Sequence, residues 1–80
     1  MELRQIQYFI QLYKDLNITK ASKNLYISQQ GLSKSVSRLE EELGFSLFDR
    51  HTSGVEPTRE ADFLFQHFNK IANSYHELLL

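Results

Sequence analysis

Three apolar stripes follow one another in this chain, each at helical spacing and each bracketed by a residue that starts or stops a helix. Leu3, Ile6, Phe9, Ile10, Tyr13 and Leu16 recur at three- and four-residue steps, which makes one buried face of a helix. Asn17 interrupts that face and suits the cap of a short second helix. Ile18, Ala21 and Leu25 form its inner face, and Lys20, Lys23 and Asn24 its outer face. Tyr26-Ile27 is too short to be an element. Ser28 then caps a third helix whose stripe is Leu32, Val36, Leu39 and Leu43, and Gly44 stops it in the left-handed position. Two short helices joined by about four residues, the second capped and amphipathic, form a helix-turn-helix unit.

The period changes after Gly44. Leu47-Phe48-Asp49-Arg50 and Val55-Glu56 are short extended runs on either side of His51-Thr52-Ser53-Gly54, and Ser53-Gly54 is a turn signal. This predicts a small hairpin with Arg50 and His51 at its tip. Pro57 ends the second strand. Thr58 is a cap for a last helix that reaches the end of the chain, with Glu60 against its positive end. The expected fold is mainly α, a winged helix-turn-helix: three helices, a β-hairpin wing and a long C-terminal helix. The helix-turn-helix spans about residues 18–43 and the wing about 46–57. Residues 1–58 are expected to hold the helix-turn-helix and wing as one unit, and 59–80 a linker helix.

Eighty residues make one small domain. The chain has no cysteine, so it has no disulfide framework, thiolate metal site or cysteine nucleophile. Its longest apolar runs are three residues, far short of the roughly 20 that span a bilayer. The start, Met1-Glu2-Leu3-Arg4, is not a signal peptide, so no membrane partner and a cytoplasmic location are expected. The net charge of −1 conceals a split. Residues 1–39 carry six Lys and Arg against Glu2 and Asp15, a net +4; residues 40–80 carry Arg50, Arg59 and Lys70 against eight acids, a net −5. A basic half points to an anionic partner, although a chance surface distribution gives the same count.

The outer face of the third helix suits that partner. Opposite its apolar stripe lie Gln30, Lys34, Ser37 and Glu41, flanked by Gln29, Ser33 and Arg38. Glutamine pairs with adenine edges, serine is tolerant, and lysine and arginine reach guanine edges or phosphates. Glu40, Glu41 and Glu42 come only at the far end, where the helix would leave the groove. In the hairpin, Arg50 suits a minor groove or a phosphate, with His51, Thr52 and Ser53 beside it. Taken singly, each feature has a plainer reading, a solvated helix face or an exposed turn arginine. Their combination favours DNA, and Ser28, Gln29, Gln30, Ser33, Lys34, Ser37, Arg38, Lys20, Arg50, His51, Thr52 and Ser53 are the candidate contacts.

The last helix adds a second signal. Ala61, Leu64, Phe68, Ile71, Tyr75 and Leu78 alternate steps of three and four, a heptad seam. Phe63, Phe65, Ala72 and Leu79 widen it, so part of the face is expected to pack on its own domain. A helix about 34 Å long is hard for so small a core to cover, which favours a dimer seam over a purely internal stripe.

Together these residues resemble the amino-terminal DNA-binding domain of LysR-type transcriptional regulators. The resemblance runs from Glu2-Leu3-Arg4-Gln5-Ile6 and Tyr8-Phe9 through Ile18-Thr19-Lys20-Ala21-Ser22 and Leu25. It is strongest in Ile27-Ser28-Gln29, Leu32-Ser33, Leu39-Glu40-Glu41-Glu42-Leu43-Gly44 and Leu47-Phe48-Asp49-Arg50, and ends with Thr58 and the long helix. It implies base and phosphate contacts at Ser28, Gln29, Ser33 and Lys34, a wing arginine at or near Arg50, and a last helix that dimerises. It further implies a separate effector domain, absent from this chain, which would make the chain a fragment; any small-molecule effector belongs to that domain. No cofactor or metal is expected here. The implied assembly is a homodimer on double-stranded DNA, with a tetramer open to the full-length protein. Two departures stand out: Gln30 and Gly31 replace the family's usual proline and alanine, and Glu60-Ala61 its alanine-glycine pair, with Pro57 where leucine is usual.

An alternative is a winged helix used only for protein–protein contact. It would want an uncharged or acidic recognition face, whereas this one is basic at Lys34 and Arg38. Catalysis has less support. His51, His67 and His76 lack metal-ligand spacing, Ser28 is better explained as a cap than as a nucleophile beside Asp49 and His51, and no glycine-rich phosphate loop exists.

Overall fold

A computed structural model describes all 80 residues, Met1–Leu80. Its elements follow in the order α1 (Leu3–Asp15), α2 (Ile18–Leu25), α3 (Gln29–Leu43), β1 (Phe48–His51), β2 (Gly54–Pro57) and α4 (Arg59–Leu79). The strands form a two-stranded antiparallel sheet in which Phe48 faces Pro57, Arg50 faces Val55 and His51 faces Gly54.

The caps act as the sequence suggests. The Asn17 Oδ1 accepts from Lys20 N at 2.8 Å, and the Ser28 Oγ accepts from Gly31 N at 2.9 Å. Gly44 ends α3 at φ 85°, a conformation that a side chain would disfavour. The Thr58 hydroxyl accepts from Ala61 N at 3.2 Å and donates to Ser46 O at 2.8 Å, so one residue starts α4 and anchors the root of the wing.

Helix α1 lies at the centre, packed against α2, α3 and α4. That position explains two differences from the periodic reading. Leu12, off the expected stripe, is fully buried because α1 is covered on several sides. Leu16, expected on the inner face, lies beyond the end of α1 as its cap at φ 53° and is 39% exposed. The chain must turn there to begin α2 two residues later, and the Leu16 carbonyl accepts from Val55 N of the wing at 3.4 Å. Tyr26 takes the same left-handed role at the end of α2, at φ 58°.

The core is one cluster drawn from all elements: Ile6, Phe9, Ile10 and Leu12 of α1, Ala21 of α2, Leu32, Val36 and Leu39 of α3, Leu47 before the wing, Phe48 and Val55 in it, and Ala61, Phe68 and Ala72 of α4. Phe9 is its hub, 5.6 Å from the Phe48 ring and 5.4 Å edge-on from the Phe68 ring. Tyr13 stacks on Phe65 at 4.2 Å, and its hydroxyl donates to Asp62 at 2.8 Å. Wing and last helix are thus fastened to α1 by aromatic contacts, each worth about 0.5–1.5 kcal/mol beyond burial. The part of α4 from Ala61 to Ala72 contributes to this core, and no helix is long and apolar enough to cross a membrane.

Candidate nucleic-acid interface

Because Leu32, Val36 and Leu39 are buried, the opposite side of α3 is turned outward. Gln29, Gln30, Lys34 and Arg38 are exposed there, with Ser33 and Ser37 half-buried at the edges. The first turn is held by the Ser28 cap, so the amides of Gln29 and Gln30 project from a fixed helix start. The exposed Ser28 accepts through Oγ and keeps its hydroxyl hydrogen free for a further acceptor.

The wing is bonded to this helix at two places. The Arg50 guanidinium donates to the Ser33 Oγ. Nearer the wing root, the Glu40 Oε2 accepts from Leu47 N at 2.7 Å and Phe48 N at 3.2 Å. Glu40 is therefore a brace between α3 and β1 as well as a member of the acidic run, a role that depends on a loop return no periodicity encodes. Arg50 and His51 lie within β1, and the tip itself is Thr52-Ser53. His51 Nε2 stands 3.9 Å from the Glu56 carboxylate on the neighbouring strand. The tip bends toward the start of α2, where Asn17, Ile18, Thr19 and residues 50–55 line a hollow of about 270 Å³. Lys20 is exposed on the first turn of α2. The structure thus brings Ser33 and Arg50 into contact and gathers the wing residues beside α2.

A second concavity, of about 340 Å³, lies on the other flank of α3. Glu2, Arg4, Gln5 and Tyr8 of the α1 end line it together with Lys34, Ser35 and Arg38. The Met1 amine meets the Glu42 carboxylate at 2.6 Å beside it.

The heptad seam of α4 divides. Ala61 and Phe68 are buried against the rest of the chain, so they offer nothing to a second molecule; the reason is that α4 must close the core over Phe9. Leu64 is half-buried, and Ile71, Tyr75 and Leu78 are exposed. Phe63 and Leu79 add to that exposed band, and Phe63 and Leu64 line a shallow apolar hollow with Phe45.

Two ionisable groups are perturbed, and both hold the scaffold. The Asp15 carboxylate accepts from Gln11 Nε2 at 2.8 Å and Asn24 Nδ2 at 2.9 Å, and these bonds hold its pKa below the usual carboxylate value against partial desolvation. The Tyr13 phenol is pushed up by its hydrogen bond to Asp62. No group of three or more His, Asp or Glu side chains is placed to hold a metal ion.

The chain belongs to the lysR family of bacterial regulatory helix-turn-helix proteins, whose family model matches residues 3–62. The HTH-type transcriptional regulator BenM of Acinetobacter baylyi is 35% identical over 79 residues, which takes in 99% of this chain and 26% of BenM. The HTH-type transcriptional regulator BudR of Klebsiella aerogenes is 44% identical over 71 residues, covering 89% of this chain and 50% of BudR. The chain therefore spans a quarter to a half of these curated relatives. Among solved structures, a BenM_DBD/catB site 1 DNA complex superposes with a TM-score of 0.93 at 35% identity, over 99% of this chain and 89% of that one. A CbnR_DBD–DNA complex gives 0.93 at 30% identity, over 96% and 88%. The family is one of transcriptional regulators, not enzymes.

Proposed function

We propose that this chain binds double-stranded operator DNA as a homodimer, with α3 in the major groove and the wing on the adjacent backbone, and that it regulates transcription. The observation that carries this is the outward face of α3. Gln29, Gln30, Lys34 and Arg38 stand exposed on a capped helix, and Ser33 is bonded to the wing arginine. Gln29, Gln30 and Ser33 are the base readers, since amides and hydroxyls match base edges. Lys34, Arg38, Lys20, Arg50, His51, Thr52 and Ser53 position the protein on the backbone. Solved DNA complexes of relatives with the same fold support the reading. Residues 1–58 carry the recognition surfaces, and the exposed band of 59–80 pairs two copies. The work takes place in the cytoplasm without a cofactor, and any small-molecule effector acts through a separate domain of the whole protein.

The test is binding-site selection from sheared genomic DNA. Enrichment of a shared, partly palindromic sequence is expected, with half-sites about one helical turn apart or a multiple of it. Recovery of random fragments only would overturn sequence-specific recognition.

A further inference from the structure

We propose that Arg4, at the start of α1, is a phosphate-contacting residue that joins Lys34 and Arg38 to clamp the DNA strand on the side of α3 away from the wing. This rests on the DNA-binding reading above and adds a second backbone contact surface to it. A helix in a major groove about 12 Å wide has a phosphate backbone on each flank. On one flank of α3 stand Ser33 with Arg50, the wing tip and the α2 start. At about 100° per residue, Lys34 and Arg38 are rotated from Ser33 toward the opposite flank. There the protein offers the groove lined by Glu2, Arg4, Gln5, Tyr8, Lys34, Ser35 and Arg38.

The charges of that groove favour an anion. It holds three cationic side chains and one carboxylate, Glu2. The acids one turn farther along α3 are Glu41 and Glu42, and Glu42 is paired with the Met1 amine. No carboxylate lies within 4 Å of the Arg4, Lys34 or Arg38 side-chain nitrogens, so none of the three is in contact with an internal counter-ion. Arg4 is exposed on the first turn of α1, whose start is capped by the Glu2 N–H donating to Gln5 Oε1 at 2.8 Å. Its guanidinium can take a phosphate in the bidentate fork that lysine lacks. A sequence reading centred on α3 misses it, because it lies 30 residues earlier on an element that otherwise serves the core.

The experiment is fluorescence-anisotropy titration of selected operator DNA at 50–200 mM salt, with this chain, Arg4→Ala, Arg4→Lys and Lys34→Ala. Loss of one phosphate contact lowers the magnitude of the log–log salt slope by about 0.9, so the affinity advantage of the parent over Arg4→Ala shrinks about 3.5-fold across that range. Arg4→Lys should keep the parent slope, and far-UV circular dichroism should show all variants folded. An unchanged slope in Arg4→Ala beside a reduced slope in Lys34→Ala overturns the assignment of Arg4 and leaves DNA binding standing. A parent chain whose binding to DNA does not depend on salt overturns the DNA reading itself.

Discussion

Replacing Ile71 with glutamate separates the two jobs of α4. Ile71 is 46% exposed and Phe68, three residues earlier, 4%. Leu64 and Leu78 lie seven residues to either side of Ile71, so a two-fold axis near Ile71 would pair Leu64 of one copy with Leu78 of the other in an antiparallel arrangement. Fully burying an isoleucine side chain is worth about 1.5–3 kcal/mol. With about half of it left to bury, each copy contributes on the order of 1 kcal/mol to pairing, or about 2 kcal/mol per dimer. Losing that alone raises the dimer dissociation constant about 30-fold. Two carboxylates brought together at the axis add desolvation and repulsion, so a hundredfold or more is expected. The monomer should barely notice, since an exposed position absorbs a polar side chain within about 0.5 kcal/mol. Phe68→Ala should do the reverse to the fold, costing about 3–5 kcal/mol as a cavity beside Phe9. Sedimentation equilibrium gives the first quantity, and thermal melting at a concentration below the dimer constant the second. An intact Ile71→Glu dimer, or an Ile71→Glu melt as depressed as that of Phe68→Ala, would show the band to be an internal feature only.

Three further outcomes follow from the geometry. Gln29→Ala should relax preference at one base step and cost about 1–3 kcal/mol on operator DNA; equal losses on operator and random DNA in the same competition assay would remove its base-reading role. Because folding depresses the Asp15 pKa, its stabilisation is present above the unfolded value and fades as pH falls through the folded one, so Asp15→Asn should flatten the acid limb of a urea-melt pH profile; a parallel profile would refute it. Gly31→Ala gains helix propensity of up to about 1 kcal/mol. The new Cβ, however, stands 3.0 Å from the Ser28 Oγ that caps the helix, so calorimetry should show a gain well below that figure, and the full gain would mean the cap yields freely.

Much of this molecule is written locally. Asn17, Ser28, Gly44 and Thr58 mark helix ends because each supplies its own hydrogen bond or backbone conformation, and four helices and the hairpin follow from them. The periodicity of α1 and α4 shows that an apolar face exists, but not what covers it. Leu12 is buried because three other helices press on α1, and Leu16 is exposed because the chain turns there, at the α1 cap, to begin α2; both are tertiary facts. Ala61 and Phe68 read as seam for the same reason: a heptad spacing is the same whether the neighbour is the chain itself or its copy. Glu40 and Arg4 were illegible as site residues because their meaning comes from what folds back beside them.

The Glu40 brace also bears on how DNA of the wrong shape is treated. Two backbone N–H groups at the wing root are held by one carboxylate on α3, while Arg50 reaches back to the same helix. The distance from groove to flanking backbone is thus set before any DNA arrives. A wing tied to α3 in this way leaves less to order on binding, which lowers the entropic cost of the proposed complex. In the proposed complex, a duplex whose flanking backbone lies too far from, or too near, the recognition helix must bend to meet the wing, and the bending energy falls on the DNA. Selectivity then extends to base pairs that no side chain touches, and Glu40→Gln should blunt it by slackening the caliper.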